Sequence, residues 1–590
     1  MLTLSLAALV LGPASCVPRE PIEPTLTMQY QEHLVRTGPQ TRLEDDPYRA
    51  VEGTTGPKLE VLTDAETGRR YFPLSLHEAV YRTLANDPEI QVVAYAPAIS
   101  YQDIIEAQAA FDWVIGSQLV YERVDAPNRA SFTDIHTREL PFELTATKRL
   151  TTGGQLELSY TADRREENTP IGVLSPSYQN DLRVQLTQPL LRGAGAEVNL
   201  AAIRVARLNY DVSLEDFRAG VLDELLETQT LYWQLVRARQ ELQIAQNLVQ
   251  LTEQLYERIL ARGPLDASRV QIAQAQAAIE TRRAILIRAR RAIGDIEDQL
   301  RARMSDASLP LTEDIELIPT TPVSTQRVII DTADQLSVAL KNSPELSRAR
   351  TAIQINEINV RVARNQELPV LNLIAGGGST GFDDNFADSF SGAAEFDYIN
   401  YNLGFAFEWP VGNRAAIANR KRALFGLDRS IAAMQGTADQ VSLAVRESIR
   451  QVDAAYEEIQ ADEAALRASI ENRDALDART QILGQLTPEA LNLQLDAQAR
   501  VATAEQTVLQ ATVDYNVALD SLARANGTAL RQLGVLIKDD TEGYVRRLSE
   551  RVRTAADDQP AAPPPAEPPV PMPWVPEQPS LAPAPPLESE

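Results

Sequence analysis

Three histidines and one cysteine are all that the sequence offers for transition-metal or thiolate chemistry. His33, His77 and His136 are far apart, and none stands in a spacing that would set two imidazoles on one helix face. A single cysteine, Cys16, supports neither a disulfide framework nor a thiolate metal cluster. Gly376-Gly377-Gly378 precedes no helix of the phosphate-cradling kind, and no nucleophile–base pair stands out. The sequence therefore predicts no catalytic residue, no bound metal and no cofactor. A formal charge of −26 argues against a nucleic-acid partner, because phosphate binding needs clustered Lys and Arg. The chemistry to look for is mechanical and interfacial.

Cys16 still has one role open to it. Leu2 to Leu11 form an apolar run of signal-peptide length, too short to span a bilayer. Pro13-Ala14-Ser15-Cys16 follows and resembles a bacterial lipobox, in which the cysteine is lipidated. Pro13 stands where a leucine is usual, and no Lys or Arg precedes the apolar run. Residues 1–16 are read as an export signal with Cys16 as lipidation site, a plain signal peptide being the alternative. At the other end, residues 553–590 are dense in Pro, Ala and Glu, a composition that predicts an extended, disordered tail.

Between these ends the chain repeats itself. Leu84-Ala85-Asn86-Asp87-Pro88-Glu89-Ile90 returns as Leu340-Lys341-Asn342-Ser343-Pro344-Glu345-Leu346, an offset of 256. Gln188-Pro189-Leu190 and Trp409-Pro410-Val411 are offset by 221, as are the turn-like points Gly263-Pro264-Leu265 and Gly484-Gln485-Leu486. The change of offset places 35 extra residues in the first copy, between Val114 and Pro189.

Each copy has a strand region followed by a very long helix. Residues 155–160 and 181–186, and Leu403-Phe405-Phe407 in the second copy, are apolar at every second position, the period of a strand with two unlike faces. Such alternation suits a soluble sandwich or a barrel with lipid outside and water inside. From about Glu197 to Ala261, and from Arg414 to Leu483, the pattern is helical with almost no Pro or Gly. Val501, Ala504, Val508, Ala511, Tyr515, Ala518 and Leu522 hold a coiled-coil seam on the way back. At 1.5 Å per residue, helices of that length are struts roughly 100 Å long. Returning helices are expected over Asp266–Arg303 and Pro488–Ala525, with single upper helices over Ser75–Ala110 and Asp334–Glu367.

Over about residues 74–530 the sequence resembles the TolC-like outer membrane efflux protein family. The marks are Gln188 through Gly193, Trp409 through Arg414, and the ordered set Gly484-Gln485-Leu486, Leu495 through Gln498, Ala504-Glu505 and Tyr515-Asn516. The resemblance implies an α+β membrane protein: a duplicated unit of strands and long helical hairpins, forming a trimeric β-barrel continued by a periplasmic α-helical barrel. It implies strand-to-helix turns at Pro189, Gly193, Pro410 and Gly412. It puts Gly263, Pro264 and Leu265, with Gly484, Gln485 and Leu486, at periplasmic tips that dock an adaptor protein. It makes Asp496 a pore-gate residue, although Leu493 stands where a companion aspartate belongs.

The domain reading runs in order: a signal at 1–16, an N-terminal periplasmic extension at 17–73 and a first repeat at 74–304. An equatorial linker at 305–333, a second repeat at 334–530, a C-terminal equatorial segment at 531–552 and the tail at 553–590 complete it. The function implied is passive conduction by a homotrimer in the outer membrane, with a periplasmic adaptor and an inner-membrane transporter as partners. The rival is a periplasmic coiled-coil scaffold or adaptor without a pore. Thr151-Thr152-Gly153-Gly154, inside the 35-residue excess, has the composition of a hairpin turn. The excess is either an extracellular loop or a further strand pair, and the expectation taken is the loop, giving 12 strands per trimer.

Overall fold

The structure is a computed structural model that describes residues 26–30, 61–63, 68–126, 135–167, 174–262, 269–483 and 487–539. Cys16, His33, both tip tripeptides and the C-terminal unit Glu542–Glu590 lie outside the described residues.

Three short strands open the chain: β1 (Leu26–Tyr30), β2 (Leu62–Thr63) and β3 (Arg70–Leu74). Helices α1 (Leu76–Asn86) and α2 (Pro88–Ala109) then lead to β4 (Trp113–Leu119), β5 (Glu122–Ala126), β6 (Ile135–Arg149), β7 (Gln155–Glu167) and β8 (Ser177–Pro189). A single turn, α3 (Ala196–Asn199), starts the first strut α4 (Ala201–Arg262), and α5 (Arg269–Met304) returns alongside it. Strand β9 (Ile315–Pro319) crosses to α6 (Thr332–Asn342) and α7 (Pro344–Gln366). The second copy continues with β10 (Val370–Asp383), α8 (Phe386–Glu395), β11 (Tyr398–Glu408), the strut α9 (Arg414–Leu483) and its return α10 (Pro488–Ala525). A short α11 (Ala529–Gln532) and β12 (Val535–Asp539) close the described chain.

The struts have 62 and 70 residues, so each spans roughly 95–105 Å. The upper helices differ from expectation. Each is two helices, split at Asp87-Pro88 and Ser343-Pro344, the very motif that reveals the repeat. Proline lacks the N–H that a continuous helix would bond and is best placed in a first turn. The residue before it caps the new helix: the Asp87 carboxylate accepts from Glu89 N, and the Ser343 hydroxyl from Leu346 N.

The core is a string of clusters along the struts. Near the middle, Phe72, Leu74, Tyr232, Trp233, Leu235, Leu300, Ile315 and Leu317 pack together. Further clusters gather around Phe217 and Leu222, around Val445, Ile449 and Tyr515, and around Leu255, Ile259 and Leu491. A belt of short strands crosses the helices at mid-height, with β3 between β2 and β9 and β1 paired to β12. Tyr515 and Asn516 strap this belt down. The Tyr515 hydroxyl donates to Gln326 O and accepts from Val328 N, while Asn516 pairs with both backbone groups of Ser324.

The large sheet is wholly antiparallel and runs β11-β10-β8-β7-β6-β4, with β5 continuing the flank of β6 that β4 occupies. The 35-residue excess is therefore a strand pair within the sheet, and the loop expectation is wrong. Among the described residues one chain supplies six strand positions, where the sequence reading took four. The error has a physical source: β6 reads Glu139-Leu140-Pro141-Phe142-Glu143, and a proline with flanking charges masks its alternation.

Register makes one face predominantly apolar and the other predominantly polar. On one face Ile115 and Leu119 of β4 pair with Ala146 and Phe142 of β6, Leu144 lies between these two, and Trp113 pairs with Lys148. The same face continues through Leu156, Leu158, Tyr160 and Ala162 of β7, the first three paired with Leu186, Val184 and Leu182 of β8. Leu371, Leu373 and Ala375 of β10 follow, then Phe407, Phe405 and Leu403 of β11. The opposite face carries Glu143, Thr145, Glu157, Ser159, Arg183, Gln185, Asn400 and Asn402. Helix α8 lies over the far end of the apolar face. A Cβ on Gly381 would stand 1.9 Å from Ser389 O, so only glycine admits this contact. Asn180 is fully buried beneath the helix, donating to Ser389 Oγ and accepting from the Tyr160 hydroxyl.

Candidate functional site

Three features bear on function: the junction of sheet and struts, the apolar face, and the inner side of α10 near its start.

At the junction the chain must turn sharply from strand to helix twice. Gly193 and Gly195 take φ of 78° and 95°, and Gly412 takes 87°, values that L side chains rarely adopt. The first turn is locked by Asn199, whose amide donates to Gly193 O at 2.8 Å and Gly195 O at 2.9 Å. Arg149 holds that same side chain from the end of β6, donating to its Oδ1 at 3.0 Å. Gly193 N donates to Asn365 Oδ1, and Arg192 donates to Leu368 O, tying the first copy to the α7–β10 link of the second. The second turn uses Asn413, which donates to Glu367 O at 2.8 Å. Pro189 ends β8 with Gly193 in the turn that follows, and Pro410 and Gly412 lie in the turn between β11 and α9. Asn199, Asn365 and Asn413 were missed. An asparagine beside a turn glycine, as at Asn413, or four residues after one, as at Asn199, is a signal that could have found two of them; Asn365 has no such neighbour.

The extra hairpin meets this junction too. Gly195 N donates to Thr152 O at 2.9 Å, and Gln188 Nε2 donates to the same oxygen at 3.3 Å. A Cβ on Gly153 would lie 2.1 Å from Gly193 O, so the tip is seated in the turn itself.

Near the start of α10, Arg282 of α5 is buried and bridges three helices. Its guanidinium donates to Gln498 Oε1 and Leu495 O, each at 2.8 Å, and to the Thr252 hydroxyl of α4. No carboxylate is among these partners, and burial lowers its pKa to about 10. This clamp fixes which side of α10 faces inward. Leu493, Asp496 and Arg500 are left on the outer side, Asp496 69 % exposed with Arg500 at 4.0 Å. Nothing in the sequence marked Arg282, because its partners are neutral and distant along the chain.

Among the described residues no group of His, Cys, Asp and Glu could hold a metal ion. His136 pairs with Asp125 at the far end of the sheet, and His77 lies in the first turn of α1, its pKa lowered by burial.

Residues 335–528 match the family model for the outer membrane efflux protein. That match lies within the second repeat. Its span takes in Tyr515-Asn516, the Asn413 turn, the Arg282 partners on α10, and Asp496. About four fifths of the chain shares its fold with solved outer-membrane channels. It superposes on the CusC channel with a TM-score of 0.58 at 14 % identity, covering 80 % of this chain and 98 % of that one. For the CmeC outer membrane channel of Campylobacter jejuni the TM-score is 0.57 at 14 % identity, covering 80 % and 89 %. For the outer membrane protein VceC of Vibrio cholerae it is 0.55 at 14 % identity, covering 77 % and 96 %. No curated protein matches the sequence. No helix among the described residues is long and apolar enough to cross a membrane.

Proposed function

We propose that three copies of this chain form an exit channel in the outer membrane, serving a tripartite efflux or type I secretion assembly. The channel conducts passively, and an inner-membrane transporter coupled through a periplasmic adaptor supplies the energy. The observation that carries this reading is the apolar face, continuous over all six strand positions and backed by a polar one. On β11 the outward residues Tyr401, Leu403, Phe405 and Phe407 are 67–88 % exposed. Water does not tolerate such a face over a whole sheet, whereas lipid requires it.

The dimensions agree. Ten residues separate Leu371 from Gly381, which at about 3.4 Å each and a tilt near 40° spans roughly 26 Å of membrane height. Trp113 and Trp409 stand at the strut end of this band. Tyr160, Tyr178, Phe386 and Phe390 cluster at the other, with edge or stacked contacts of 6.1–6.4 Å between rings. Aromatic girdles at two levels are what the two membrane interfaces favour. The struts then reach about 100 Å into the periplasm.

Within this reading, Cys16 carries the lipid anchor, and residues 263–265 and 484–486 dock the adaptor. Asp496, projecting from α10 opposite the Arg282 clamp, lines the entrance. The test is single-channel recording on purified full-length protein, with its mass measured in detergent. Discrete conductance from a trimer is expected, and a soluble monomer without conductance would replace this reading with the scaffold one.

Asp496→Asn gives a sharper test of the gate. In a tenfold KCl gradient the wild-type channel is expected to prefer cations, and the variant's reversal potential to move toward anions. An unchanged reversal potential would remove Asp496 from the conduction path.

A further inference from the structure

We infer that three copies of this chain close an 18-stranded barrel, whose wide polar lumen passes bulky hydrated cargo and leaves size selection to the helical tips. The inference rests on the channel reading above and concerns the size of its membrane part.

The β6–β7 hairpin is part of the wall. Thirteen consecutive residue pairs join β6 to β7, and eleven join β7 to β8, so no strand is peripheral. Its tip turns at the strut end, where Gly153 abuts Gly193 O and Thr152 O accepts from Gly195 N. A loop reaching away from the cell would turn at the opposite end. The hairpin also continues both faces, with Leu156 and Leu158 on the apolar side and Glu157 and Ser159 on the polar side.

The two free edges fit a neighbouring copy. β4 and β5 run away from the struts and β11 runs back toward them, so juxtaposed edges meet antiparallel, as at every other junction of this sheet. Their lengths agree: β11 has 11 residues, and β4 with β5 has 12. Apolar side chains point the same way on both, Ile115 on β4 and Leu403 on β11. Open edges cannot stand in lipid, and threefold closure removes all of them.

Barrel width follows from strand number. Strands about 4.8 Å apart, tilted about 40°, give a wall roughly 36 Å across for eighteen and roughly 24 Å for twelve. After side chains, the lumen is about 26 Å wide rather than about 14 Å, an area roughly three times larger. Its lining is polar and of mixed sign, with Glu143, Glu157, Arg183, Gln185 and Asn402. Such a surface suits hydrated solutes over oily ones.

The test uses the full-length wild-type protein. Electron cryomicroscopy of the detergent-solubilised oligomer counts the strands. Neutral polymer added from the side away from the struts gauges the lumen in single-channel recordings. Eighteen strands are expected, with a polymer of about 10 Å radius entering and lowering the conductance. A conducting trimer with twelve strands, β6 and β7 lying outside its wall and the same polymer excluded, would overturn the inference and leave the channel standing. An oligomer that is not threefold, or no pore at all, would take down both.

Discussion

Val184→Arg is expected to abolish assembly of the protein in the membrane, while Gln185→Arg, one residue further along the same strand, leaves assembly intact. Val184 sits mid-way along β8 on the apolar face, 49 % exposed, between Leu158 of β7 and Gly377 of β10. Gln185 points to the other face, opposite Glu157 and Gly376. An arginine facing lipid near the membrane midplane costs about 2–4 kcal/mol per site, and a trimer carries that cost three times. Facing a water-filled lumen, it costs little and lies near Glu157. The readout is the amount of folded oligomer in outer-membrane fractions, expected to fall at least tenfold for Val184→Arg alone. Equal tolerance of both variants would show that this sheet never meets lipid, and equal loss of both would show that neither face is a lumen.

That contrast also shows how the sequence encodes the sheet. Alternation is plain where strands are free of charge clusters, as in Leu156-Leu158-Tyr160 and Leu182-Val184-Leu186. It is hidden in β6 by Pro141 and its charged neighbours, which is why the strand pair was taken for a loop. Helix α8 was not legible at all. Its packing rests on a glycine–serine contact between Gly381 and Ser389 that no periodicity announces.

The struts were the clearest feature, since apolar period without Pro and with almost no Gly over 60 residues admits no other element. The bounds Arg414–Leu483 and Pro488–Ala525 agree with the observed helices residue for residue. Helices above the belt were read as too long, because the Asn-Asp-Pro-Glu and Asn-Ser-Pro-Glu segments were treated as starts only. Each in fact ends one helix and caps the next. What lay beyond reach were the long-range polar contacts. Arg282 meets Gln498 across 216 positions, and Asp520 meets Trp233 across 287. Single residues of ordinary type carry no mark of partners so far away.

Asp520 provides the second large effect, and it is one of pH. Its carboxylate lies between α4 and α10, accepting from Trp233 Nε1 at 2.8 Å and from Gln229 Nε2 at 3.0 Å. Burial pushes its pKa up to about 6, and the Trp233 hydrogen bond offsets only part of that shift. A group that holds its proton more tightly when folded stabilises the fold at low pH. The contribution is full below the unfolded value near 4 and is lost as pH rises through about 6. The loss amounts to about 3 kcal/mol per chain, against a domain stability of only about 5–15 kcal/mol. Asp520→Asn removes the charge and keeps a hydrogen-bonding oxygen for Trp233, while the Gln229 amide can turn to accept from the new Nδ2. The variant is expected to outlast wild type at pH 8, melting a few degrees higher in detergent by circular dichroism, and to match it at pH 4. Wild type should lose stability between pH 4 and pH 7 from this site, and the variant should show a shallower profile over that range. If Asp520→Asn is less stable than wild type at pH 8, the carboxylate is a net stabiliser of the α4–α10 contact, and burial does not govern its titration.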